Sequence, residues 1–263
     1  MKPVLFLHEI RRNMLSLVVW SAVMAFTLGV CIIIYPEMQS QMNEISDMFA
    51  NMGSFSQAFG MDQINFGEFM GYFGVECGNT LGMGGAMLAG IVGILALSKE
   101  ERDSTAELLL TLPVSRIRVI TEKILFAIFH IFAVNLVVAL VCIVGAFAVG
   151  VEFEISEMLL ILLAYFLMQL EITAITFGLS SVVKKGGIGI GIGVGFAFYF
   201  MGILSNLADS VEFVKYLTPF GFADSAYILS EGKLEIAPLL IGFGFSALGI
   251  AFAYYYYNKK DIA

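Results

Sequence analysis

Charge is scarce in this 263-residue chain: Asp, Glu, Lys and Arg together supply 14% of it, against 59% hydrophobic residues and a mean hydropathy of +0.89. So little charge excludes an ordinary soluble domain, because one core of this length cannot bury so much apolar surface and lipid must solvate the rest. Histidine is nearly absent, with His8 and His130 isolated in sequence, and the three cysteines, Cys31, Cys77 and Cys142, lie in or beside apolar runs without a CxxC spacing. Neither residue type builds a metal or acid–base constellation, and the cysteines read as small buried hydrophobes. A G-x-x-x-x-G-K-[ST] loop is missing too: in Lys184-Lys185-Gly186-Gly187 the lysines precede the glycines and no strand leads in. The chain is not expected to be an enzyme, and no cofactor, metal or nucleic-acid partner is expected of it.

What it has is long apolar runs. Six of them, about 15–35, 75–97, 124–149, 158–183, 188–207 and 237–257, fit the roughly 20 residues that cross about 30 Å of hydrocarbon. The expected fold is all-α, a polytopic membrane protein forming a single transmembrane domain over 1–263. The first run follows Arg11 and Arg12, lacks an A-x-A exit and reads as an uncleaved first span. Twelve of the fourteen Lys and Arg residues fall at the N-terminus, in the second and fourth connections and at the C-terminus, while the other connections hold Lys215, Lys233 and thirteen acids. Positive charge marks the cytoplasmic side, so both termini are expected there.

Residues 1–14 mix Val4, Leu5, Leu7 and Ile10 with Lys2, His8, Arg11 and Arg12, which fits either an amphipathic helix in the headgroup layer or a charged run-in to the first span. The connection 36–74 places Met42, Ile45, Met48, Phe49 and Met52 at helical spacing. The connection 208–236 is too aromatic for a free loop, and short helices against the membrane are expected there.

The cytoplasmic connection 98–123 is charged at both ends around an apolar centre, Leu108, Leu109, Leu110 and Leu112. Ser104 and Glu107 form an S-x-x-E capping box, so a short helix starts there, and Pro113 stops it. Pattern alone leaves two places for its leucines: the membrane surface, or a groove on a soluble partner where each contributes about 1.5–3 kcal/mol of burial.

The run E-E-x-x-S-T-A-E-L-L-L-T-L-P-V-S-R from Glu100 to Arg116, followed by Lys123, resembles the cytoplasmic signature of ABC-2 type permeases, the membrane subunits of bacterial ATP-binding-cassette exporters. F-G-E-F-M-G-Y-F ending at Phe73, Y-L-T-P-F-G-F at Tyr216 to Phe222 and Y-N-K-K-D-I at Tyr257 to Ile262 extend the likeness over nearly the whole chain. The family's glycine before threonine is Ser104 here, so Asp103 and the serine must make the turn. The resemblance implies a coupling helix docked on a separate ABC ATPase subunit, with Glu100, Glu101, Thr105, Glu107 and Arg116 as polar contacts and Leu108, Leu109, Leu112 and Pro113 as the apolar part. It also implies a second permease copy, identical or paralogous, membrane lipids as surroundings, a bacterial cell membrane, and outward movement or extraction of cargo. A non-transporting immunity or sensor subunit is the alternative, and an ion-coupled carrier built on Glu171 a further one.

Glu171 stands near the middle of the fourth run, where a charged residue costs roughly 2.5–3.5 kcal/mol on insertion scales. It is a candidate for the cargo path or a gate, with Asn135 of the third run as a candidate partner; the other reading is a neutral carboxyl bonded to a neighbouring helix, and Gln169, Thr173 and Thr176 form a polar stripe on a different face. Gly187, Gly191 and Gly195 share one helix face and mark a packing seam, either to the second copy or within the bundle.

Overall fold

Apolar runs in lipid must satisfy every backbone N–H and C=O internally, and the helix does this within one segment. The computed structural model describes residues 4–50, 53, 64–65, 67–103, 114–183, 187–207 and 209–260, the side chains at 4, 40–50 and 209–210 excepted, and among these there is no strand. A short N-terminal helix, Val4–Arg12, precedes six helices long and apolar enough to cross a membrane. These are span 1 (Met14–Gln39), span 2 (Phe69–Arg102), span 3 (Arg116–Val149), span 4 (Ile155–Ser180), span 5 (Ile188–Leu207) and span 6 (Ile236–Lys259).

The helix of span 1 runs on through Pro36 to Ala50, so the backbone of the first connection is helical over its early part. The side chains of Met42, Ile45, Met48 and Phe49 lie outside the described residues. Span 2 begins at Phe69, ahead of the apolar run that marked it, and changes to a π-helical turn over Gly78–Gly84 before resuming as α-helix. Span 3 ends on Gly150, whose φ of 74° is the left-handed closure that glycine adopts without strain. Between spans 5 and 6 come two 3-10 turns, Asp209–Leu217 and Pro219–Gly221, and a short helix, Ser225–Glu231, capped by Asp224. Ser225 Oγ donates to Gly74 O at 3.0 Å and Thr218 Oγ1 to Phe198 O at 3.0 Å, so these pieces are tied onto spans 2 and 5.

Spans 2 and 4 form the centre: 56% and 61% of their apolar windows are buried, against 11% and 17% for spans 5 and 6. Small residues let them meet. A Cβ added at Gly93 would stand 2.0 Å from Thr176 Oγ1, and one at Gly85 2.3 Å from Gln169 Nε2, so the polar stripe of span 4, Gln169, Thr173 and Thr176, fits a groove in span 2 that only glycine leaves open. A neighbouring side of span 2 meets span 5, where Gly90 and Gly191 abut backbone to backbone and Gly195 abuts Ala86. The glycine seam is thus within the bundle at Gly191 and Gly195. Gly187 precedes the helix of span 5 and has nothing within 4 Å of an added Cβ, so it does not join the seam.

Candidate functional site

One end of the bundle gathers the N-terminal helix, the ends of spans 2, 4 and 6 and the start of span 3. Thr105, Glu107, Leu108, Leu109, Leu112 and Pro113 lie outside the described residues. The residues on either side of that segment are fixed by buried charge.

Lys123, 3% exposed, reaches from span 3 to two carboxylates, Glu9 Oε1 at 3.2 Å and Glu100 Oε1 in a shorter contact. Arg12 of the N-terminal helix adds a 2.7 Å pair with Asp103 and lies 3.9 Å from Glu100. Lys99 Nζ donates to Asn13 Oδ1 at 3.1 Å. Glu101, next to Glu100 but on another side of the helix, pairs at 2.6 Å with Lys260, whose ammonium also donates to Ser181 O at 2.9 Å. The last turn of span 2 is therefore tied at once to the N-terminal helix, span 3, span 4 and the C-terminal segment.

The other side of the segment is anchored by Arg116. Its Nη1 donates to the carbonyls of Tyr257, Asn258 and Lys260 at 3.1, 3.3 and 2.6 Å, and so satisfies acceptors that the end of span 6 leaves without partners of its own. Ser115 caps span 3 by accepting from Arg118 N. Glu122, one turn further, is held by Arg118 at 2.6 Å and accepts the backbone N–H groups of Leu5 and Phe6 at 2.8 and 3.0 Å. A carboxylate from span 3 thereby caps the N-terminal helix, where its negative charge also suits the helix dipole. Val4–Arg12 is a helix distinct from span 1, attached at its two ends to span 3 and span 2.

Glu100, Glu101 and Arg116 accordingly spend their described bonds inside the chain. Lys123, Glu9, Glu122 and Lys260 carry the same network, and sequence alone named none of them as a site residue: Lys123 and Lys260 fall in the family-like runs, but each of the four pairs across a long stretch of chain.

Burial alone would raise the Glu9 carboxyl, but the charge and hydrogen bond of Lys123, with Lys99 and Arg12 behind, outweigh it and hold it below the usual carboxylate range. A depressed folded value means that Glu9 stabilises the folded chain above the ordinary value, and that this contribution disappears as pH falls through the folded one. A spin label on Leu7→Cys, an exposed site on the N-terminal helix, should stay equally immobile from pH 7 to about 4.3, the ordinary glutamate value, and gain mobility only below it. Mobility rising already between pH 7 and 5 would contradict this.

Within the membrane region, Asn135 Nδ2 donates to Gln169 Oε1 at 2.7 Å and to Ile131 O at 2.9 Å. Its partner is therefore the polar stripe of span 4 and not Glu171. Glu171 is 5% exposed and turns to span 6, where a Cβ added at Gly242 would stand 2.1 Å from its Oε2.

Among curated proteins no relative matches the chain. A family model described as ABC-2 family transporter protein matches residues 4–262. With six helices long and apolar enough to cross a membrane, this chain belongs to the ABC-2 family of transporter proteins, as its membrane-spanning part.

Proposed function

We propose that the chain is the permease subunit of an ATP-driven exporter, with its basic end in the cytoplasm of a bacterial cell, a second permease copy beside it and a separate ATPase docked on 104–113. One observation carries this reading: both flanks of that segment are pinned, through Glu100, Glu101 and Asp103 on one side and Arg116 on the other. A segment free to swing would absorb a push from a partner. One whose ends are locked to spans 2, 3 and 6 passes it on, because packed elements shift between discrete arrangements and do not deform continuously. Glu100, Glu101 and Arg116 then act as the mounting of the joint, while Thr105, Glu107, Leu108, Leu109, Leu112 and Pro113 meet the ATPase. Large exposed apolar residues on spans 5 and 6, such as Phe200, Leu240 and Leu248, are covered by lipid or by the second copy.

The test is Leu109→Ala combined with Leu112→Ala. Losing two buried leucines at about 1.5–3 kcal/mol each should weaken ATPase co-purification by at least tenfold, or uncouple hydrolysis from cargo movement, while membrane expression and monodispersity stay normal. Partner binding and coupled hydrolysis at wild-type levels would sink the assignment, since those leucines would then rest only on lipid.

A further inference from the structure

Glu171 is unlike the other buried acids among the described residues. Glu9, Glu100 and Glu122 each have a cation or backbone amides facing them, whereas no described residue donates a hydrogen bond to Glu171 and none forms an ion pair with it. Its carboxyl occupies the space left by the missing Cβ of Gly242 and borders a cavity of about 130 Å³ between spans 3, 4 and 6. That is roughly ten times the 10–15 Å³ of the same measure that one water needs. The remaining walls are mostly apolar, including Ile128, Leu167, Leu170, Leu239 and Phe243, with Thr173 and Ser246 as the hydroxyls. Ile128 and Phe243 are 39% and 53% exposed, so the cavity communicates with the lipid-facing side between spans 3 and 6.

A carboxyl in such a place is neutralised by a proton, by a fixed cation or by a bound one. The fixed cation is not there among the described residues. A proton settles the charge but leaves the apolar walls without contacts on one side, and those contacts are what a ligand supplies. We propose that the cavity receives a hydrophobic amine from the bilayer, its single ammonium charge on Glu171 and its apolar tail along Leu167, Leu239 and Phe243. A multiply charged cation fits neither the single carboxylate nor an entrance through hydrocarbon, and a neutral molecule leaves the charge of Glu171 unbalanced. As the cargo class this rests on the permease reading; as a binding site it does not, and the test uses the permease without ATPase or nucleotide.

The probe is octyltrimethylammonium, with octanol as its uncharged counterpart, applied to the purified chain in phosphatidylcholine nanodiscs. Saturable binding of the radiolabelled cation is expected in the wild-type chain and should weaken by about tenfold or more in Glu171→Gln, because the close charge pair is lost while the side-chain shape is kept. Should that variant fail to fold, the wild-type chain suffices: dicyclohexylcarbodiimide, which adds to carboxyl groups in apolar surroundings, should modify Glu171, and the cation should slow this at least tenfold where octanol does not. The proposal is overturned if wild type and Glu171→Gln bind the cation alike, or if octanol protects as well as the cation. Either result leaves ATPase coupling untouched, just as a failure of coupling would leave this binding untouched.

Discussion

Lys123→Met is expected to cost about 3–5 kcal/mol, because it deletes the buried cation that Glu9 and Glu100 share and leaves their charge under-compensated by the more distant Arg12 and Lys99. Lys123 is 3% exposed, Glu9 7% and Glu100 5%, so water cannot take over its part. Methionine keeps most of the side-chain length, which confines the loss to charge and hydrogen bonds. The intact ion cluster is not in itself strong evidence of stability, since desolvating three charges offsets much of their attraction. That yields a second expectation: adding Glu9→Gln and Glu100→Gln to Lys123→Met should recover most of the lost stability. Thermal unfolding followed by size exclusion in detergent reads both variants. The clasp is wrongly described if Lys123→Met unfolds at the wild-type temperature, or if the triple variant is less stable than the single one.

The helices were legible because lipid makes a long apolar run and a spanning helix nearly the same thing. Their limits were less so. Span 2 starts at Phe69, in F-M-G-Y-F-G, where two glycines and a tyrosine dilute the apolar signal although Phe69 and Phe73 are buried against the bundle. The positive-charge pattern placed Lys123, Arg116 and Lys260 at one end of the bundle, where the structure has them. It treated them as topology markers only. That the same residues are also the internal fastenings of spans 2, 3 and 6 depends on which helices become neighbours, and neither spacing nor composition encodes this. Asn135 shows the same limit: its polarity was visible, but its bond to Gln169 is set by how spans 3 and 4 face each other. The family-like run at 100–116 marked the segment expected to meet a partner, yet gave no sign that its first and last charged residues face inward.

The alternating glycines of span 5 separate packing from composition within one helix, and they should respond to the same substitution with opposite signs. Gly191→Ala places a methyl group 2.5 Å from Gly90 O, and that oxygen is backbone and cannot rotate away. Span 5 must then move off span 2, a strain at the upper end of about 1–3 kcal/mol, and Gly195→Ala should behave alike, because its Cβ would stand 2.6 Å from Ala86 O. At Gly193 and Gly189 nothing lies within 4 Å, so alanine there brings only its better helix propensity, up to about 0.8–1 kcal/mol. Thermal stability in detergent should therefore fall for Gly191→Ala and hold or rise for Gly193→Ala. Gly90→Ala tests the contact from the other helix: its Cβ would stand 2.1 Å from Gly191 O, and the double variant with Gly191→Ala should cost less than the two single losses added, since one displacement of span 5 relieves both. Equal responses at Gly191 and Gly193 would mean that span 5 meets span 2 in another register.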